Sequence, residues 1–111
     1  MLGMNHKEKE YVNDENVNVL KIFGVGDQTA IELIESDDSE SSINRFINRQ
    51  GEGLHHIALN IDNLENAITF LKSKDISLVY DKPKLGSNNT IITFIHPTST
   101  PGILIELCQK I

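Results

Sequence analysis

At 111 residues, 39% of them hydrophobic and 23% charged, the chain has the length of one ordinary domain and enough apolar residues for a core. Its formal net charge of -6 speaks against a nucleic-acid partner or an anionic membrane surface, although a local basic pocket could still take a small anion. Cys108 is the single cysteine, so no disulfide forms within the chain, which suits a reducing compartment. No apolar run approaches the roughly 18 residues of a membrane span, and the opening MLGMNHKEKEY reads neither as a secretory signal nor as an Arg-rich transit peptide.

Residues 1–16 are polar and mixed in charge, and read as a ragged strand or a solvated tail. Val17 to Phe23 alternates apolar and polar residues as a strand does, Gly24 to Asp27 is a turn, and Thr29 to Ile34 completes a hairpin. The acidic, Ser-rich stretch Ser36 to Ser42 can cap a helix over Ser42 to Asn48, with Ile43, Phe46 and Ile47 on one face. Gln50 to Gly53 breaks it. Leu54 to Ile61 is a strand, after which Asp62 or Asn63 caps a helix that buries Leu64, Ala67, Ile68 and Leu71 and ends at Asp75. Ile76 to Tyr80 is a short strand and Pro83 to Asn89 a loop. Two further strands, Thr90 to Ile95 and Ile103 to Cys108, flank His96 to Gly102. The second half reads strand, helix, strand, strand, strand; the first half reads as the same module without its opening strand and helix.

Three ionisable residues sit inside otherwise apolar strands: Glu32 in IELI, His56 in LHHIAL and Glu106 in ILIEL. Burying a lone carboxylate costs several kcal/mol, of order 1–5, unless it is paired or binds a metal. Glu106 shares parity with Leu104, while Ile103, Ile105 and Leu107 face the other way, so one face of the strand can be apolar and the other functional. Taken singly, each residue has a plain explanation: two solvent-facing glutamates and a core histidine bonded to backbone. Taken together, one imidazole and two carboxylates suit Zn²⁺, Co²⁺, Mn²⁺, Ni²⁺ or Fe²⁺, without selecting among them. His55 and His56 are neighbours, and neighbours on a strand point to opposite faces, so one of the two joins the site. His96, before Pro97, reads as a capping or packing residue, and Cys108 as a buried core thiol.

Longer strings carry a resemblance. Gly51-Glu52-Gly53-Leu54-His55-His56-Ile57-Ala58-Leu59 resembles the GEGLHHIAF stretch of methylmalonyl-CoA epimerases, and Phe94 to Leu107 resembles their FLHPKSTGGVLIEL. Gly26-Asp27 through Glu35 is similar to their GDTEIELLEP, and Ser39 to Gln50 to their SPIAKFLEKR. The resemblance runs from about Val17 to the end of the chain, more loosely from Met1.

That resemblance implies an α+β fold of paired βαβββ modules, whose curved mixed sheet surrounds a divalent metal (Co, Zn, Mn or Ni). Residues 1–111 would be one glyoxalase-like domain: 1–50 a partial first module and linker helix, 51–111 the second module. It implies metal ligands at Glu32, His56 and Glu106, and selects His56 over His55. The family's fourth ligand, a histidine, lies on a strand that would precede Met1; Leu2-Gly3-Met4 resembles the Leu-Gly-Leu that follows the family's first helix, and His6 is not promoted in its place. Without that strand and helix, an edge or apolar surface should be left uncovered.

The implied substrate is methylmalonyl-CoA, epimerised at its α-carbon through a metal-stabilised enolate, as in propionate metabolism. The catalytic carboxylates it implies are Glu106 and Glu15, with Asp14 and Glu10 as other choices for the base. Gly86 to Asn89 and Thr98 to Thr100 resemble loops near the substrate. Pro101, in place of the first of a Gly-Gly pair, removes a backbone donor there. The implied assembly is a homodimer, without nucleic acid or membrane, in the mitochondrial matrix if the source is a eukaryote and the chain is N-terminally truncated, and otherwise in the cytoplasm. The competing readings are a non-catalytic or truncated domain of the same fold, or another lyase or dioxygenase of the superfamily.

Overall fold

The computed structural model describes residues 6–13, 16–24, 26 and 29–111. The chain divides into two compact units, Met1–Gly53 and Leu54–Ile111. Both combine strands with one helix, in keeping with the α+β expectation.

The first unit is an antiparallel sheet of β1 (His6–Val12), β2 (Val17–Phe23) and β3 (Ala30–Glu35), in that order. The β2–β3 hairpin falls where alternation places it, one residue later at each end of β3. Register pairs Val19 with Ile34 and Lys21 with Glu32, so these four side chains share a face. Helix α1 (Ser42–Gln50) covers part of that face. Ser41 caps it, its hydroxyl accepting the Asn44 N–H at 3.2 Å, and Gly51 ends it at φ 79°, a left-handed conformation that favours glycine. Ile43 and Ile47 pack on Val12, Val17, Val19 and Ile34 as the core of this unit.

The second unit is a four-stranded sheet in the order β4-β7-β6-β5. Its strands are β4 (His56–Asn60), β5 (Lys84–Leu85), β6 (Thr90–Ile95) and β7 (Leu104–Lys110). β4 runs parallel to β7, and parallel neighbours need a crossover, which α2 (Leu64–Ser73) supplies. Asn63 rather than Asp62 caps α2, its side-chain oxygen accepting the Asn66 N–H at 2.9 Å. The Leu64 N–H, another unpaired donor of the first turn, is taken by Gln109 Oε1 of β7 at 2.7 Å. Leu64, Ile68 and Leu107 form the core, with Ile61, Leu71, Ile91, Ile95 and Ile105 around them.

β3 and β7 carry the same Ile-Glu-Leu triplet, and the two copies differ in cover. Leu107 is 4% exposed beneath α2, whereas Ile31 and Leu33 are 50% and 54% exposed. The apolar surface expected on the first module is present on this face of β3, beside half-buried Leu20 and Ile22.

Of the ragged strand or solvated tail read in residues 1–16, His6–Val12 is a strand: charged residues fill it, and register with β2 pairs its backbone. Three expectations change. Ile76 to Tyr80 is not a strand; Leu78 makes one isolated bridge to Ile95, and the Val79 N–H donates to the Phe94 carbonyl. The loop at Pro83 to Asn89 contains β5, which turns back onto β6 through Asn88 and Asn89, both at φ 55°. Cys108 is not a core thiol: half-buried, its Sγ lies 3.4 Å from the Leu59 carbonyl and 3.3 Å from Asn60 Oδ1. Leu2-Gly3-Met4 and parts of the Gly24 to Asp27 turn lie outside the described residues.

Candidate functional site

Strand parity in the second unit sends Ile105 and Leu107 beneath α2 and Glu106 to the opposite face. β4 lies parallel beside β7 and presents His56 to that same face. There His56 Nε2 stands 3.1 Å from Glu106 Oε2, with the two side chains 11% and 14% exposed. The Phe94 ring, from the neighbouring position on β6, meets the His56 ring nearly perpendicularly at 6.0 Å, and Tyr80 meets Phe94 at the same distance. Phe94 thus borders an imidazole–carboxylate pair that is largely out of water, where charge interactions are stronger than at the open surface.

His55 stands beside the pair. Its Nδ1 lies 2.9 Å from His56 Nδ1, with the two rings at 89°. The expectation that these neighbours point to opposite faces is corrected here, since the two rings touch. Strand alternation separates neighbours only within a strand, and β4 begins at His56, leaving His55 in the segment before it. Burial and the neighbouring His56 lower the His55 pKa from its ordinary 6.5, with Glu106 pulling it back up.

Glu32 belongs to the first unit. Its Oε1 lies 3.2 Å from Lys21 Nζ across the β2–β3 ladder, with the Lys21 and Glu32 side chains 14% and 24% exposed. This ion pair was legible in principle, because hairpin register places Lys21 directly opposite Glu32. Among the described residues, no three His, Cys, Asp or Glu side chains are gathered closely enough to hold a metal ion. His56 and Glu106 do form a donor pair, imidazole nitrogen beside carboxylate oxygen, of the type such ions accept.

Glu15 and Asp14 lie outside the described residues. Glu10 is on β1, opposite Val19. His96 caps the 3₁₀ turn Pro97–Ser99, its Nδ1 lying 3.2 Å from the Thr98 nitrogen, which is the capping role its position before Pro97 suggests. Gly86 is held close to β6: a Cβ there would lie 2.6 Å from Ile92 Cγ2 and 2.8 Å from Thr90 Oγ1. No helix among the described residues is long and apolar enough to cross a membrane.

Residues 1–94 match the family model of the Glyoxalase/Bleomycin resistance protein/Dioxygenase superfamily. The chain is 35% identical over 109 residues to the uncharacterized protein YqjC of Bacillus subtilis, covering 98% of this chain and 76% of that one. It is 31% identical over 102 residues to the mitochondrial methylmalonyl-CoA epimerase of Dictyostelium discoideum, covering 91% of this chain. It spans 61% of that enzyme's length. The crystal structure of methylmalonyl-CoA epimerase from Mycobacterium tuberculosis superposes with a TM-score of 0.92 at 30% identity, covering 99% of this chain and 73% of that one.

Proposed function

This chain belongs to the Glyoxalase/Bleomycin resistance protein/Dioxygenase superfamily, and from that premise we propose that it epimerises methylmalonyl-CoA. The observation that carries the reading is the His56–Glu106 pair on the face of its sheet opposite α2, within a chain 30–31% identical to two methylmalonyl-CoA epimerases.

The α-carbon of this substrate lies between a thioester and a carboxylate, so its proton is acidic enough for a side-chain carboxylate to remove. Glu15 is the proposed base. A proton returning to the opposite face inverts the centre. Glu32, His56 and Glu106 are the residues that would hold a divalent cation: Co, Zn, Mn or Ni. When bound, the cation supplies positive charge for the enolate oxygen. Glu106 also belongs to the proposed catalytic set; its carboxylate lies 3.1 Å from His56 Nε2. Phe94, with Tyr80 against it, packs edge-on to the His56 ring. Glu32 would have to exchange its Lys21 partner for the cation.

The reading extends to assembly and compartment. The half-exposed face of Ile31 and Leu33 supports a homodimer, which sedimentation would register. The mitochondrial matrix is the proposed location for a eukaryotic source. The catalytic test starts from one C2 epimer of methylmalonyl-CoA and follows loss of its optical signal. Wild type should bring the mixture to equal epimers, and Glu106→Gln and His56→Ala should slow that by about 10- to 100-fold. Undiminished turnover in both variants would remove the pair from the mechanism.

A further inference from the structure

His55 is absent from the ligand set, yet it is in polar contact with His56. Its Nδ1 is 2.9 Å from His56 Nδ1, and the perpendicular rings are 5.1 Å apart. Between two neutral imidazoles, that contact is a hydrogen bond only if one Nδ1 carries a proton and the other does not. The two tautomers are therefore coupled. On its other side, His56 Nε2 lies 3.1 Å from Glu106 Oε2, and a carboxylate oxygen accepts there rather than donates. With both rings neutral, His56 then carries its proton on Nε2, its Nδ1 accepts, and His55 donates from Nδ1.

We infer that His55 is a positioning residue that holds the ring orientation of His56 through this Nδ1–Nδ1 bond, its own tautomer following that of His56. The inference deepens the proposed ligand role of His56 and rests on that reading in one respect only. A ring that gives its Nε2 lone pair to a cation must hold its proton on Nδ1, so the shared proton shifts to His56 and His55 becomes the acceptor. A ligating histidine commonly donates its second N–H to a fixed acceptor, and losing that acceptor costs about 10- to 100-fold in metal affinity. His55 can act as donor in one state and acceptor in the other, which neither a backbone carbonyl nor a carboxylate could do. Phe94, edge-on to His56 at 6.0 Å, limits rotation of the ring on another side.

The test uses the whole metal-free chain, ¹⁵N-labelled at histidine, at pH 8. Long-range ¹H–¹⁵N correlation reads which ring nitrogen of each histidine carries the proton. Wild type should show His56 protonated on Nε2 and His55 on Nδ1. His55→Leu should keep the His56 proton on Nε2 but free the ring to rotate, weakening the nuclear Overhauser contacts from its carbon-bound protons to the Phe94 ring, whereas His55→Asn, whose side-chain amide can donate or accept near the Nδ1 position, should preserve them. Unchanged His56–Phe94 contacts in His55→Leu, with the sheet intact by circular dichroism, overturn the inference. Zn²⁺ titration then separates the two claims. Wild type should exchange the protonated nitrogens on both rings, and His55→Leu should bind Zn²⁺ about 10- to 100-fold more weakly than His55→Asn. Coupled tautomers in the metal-free chain, with no Zn²⁺-induced change at His56, would support the role of His55 and refute the ligand reading.

Discussion

Leu107 and Leu33 occupy the third position of the same Ile-Glu-Leu triplet, one beneath α2 and one half in water. Leu107 is 4% exposed among Leu64, Ile68 and their neighbours, so Leu107→Ala removes buried methyl groups and leaves a cavity that α2 cannot fully close. Such a substitution costs about 3–4 kcal/mol. Leu33 is 54% exposed, and Leu33→Ala gives up a partial transfer term with no enclosed void, about 1 kcal/mol or less. A domain's whole stability is about 5–15 kcal/mol, so the first variant should be strongly compromised and the second nearly normal. Urea unfolding followed by far-ultraviolet circular dichroism gives both values, provided the slope with urea is unchanged. Equal losses at the two sites would refute the argument that cover by a helix, rather than strand parity, distinguishes these leucines.

Other consequences are narrower. Gly86→Ala should destabilise by about 1–3 kcal/mol, because the added methyl meets Ile92, which is itself buried against β5; thermal unfolding would show it. Asn63→Ala should cost about 1 kcal/mol by removing the cap of α2, and amide exchange in the first turn should rise accordingly. Burial holds the His55 pKa below 6.5, so as pH falls the unfolded chain takes up this proton first. The associated stability is complete above about pH 6.5 and declines as the pH drops toward the lowered folded value. The urea midpoint of wild type should therefore fall more than that of His55→Asn between pH 7.5 and 5.5, and parallel declines would contradict the assignment.

Much of the fold was legible because periodicity and capping agreed. Asn63 with Leu64, Ile68 and Leu71 defined α2, and the alternation in Val17 to Phe23 defined β2. β1 was obscure because HKEKEYV offers little apolar alternation; its pairing partner, not its composition, makes it a strand. β5 is two residues long, too short for any period, and depends on the left-handed Asn88 and Asn89. At the site, parity correctly put Glu106 opposite Ile105 and Leu107. The His55 contact escaped the same rule because the strand starts two residues later than its apolar pattern suggests. Glu32 was singled out as a buried acid in need of a partner, and its partner in the structure is Lys21.

Solvent deuterium entry at C2 of methylmalonyl-CoA tests the central claim most directly, since it reports proton removal whatever step limits turnover. The chain, loaded with Co²⁺ and with metal content measured, should exchange this proton, and Glu106→Gln should slow exchange by about 10- to 100-fold. A metal-loaded, folded wild-type chain that leaves the C2 proton in place would contradict the account.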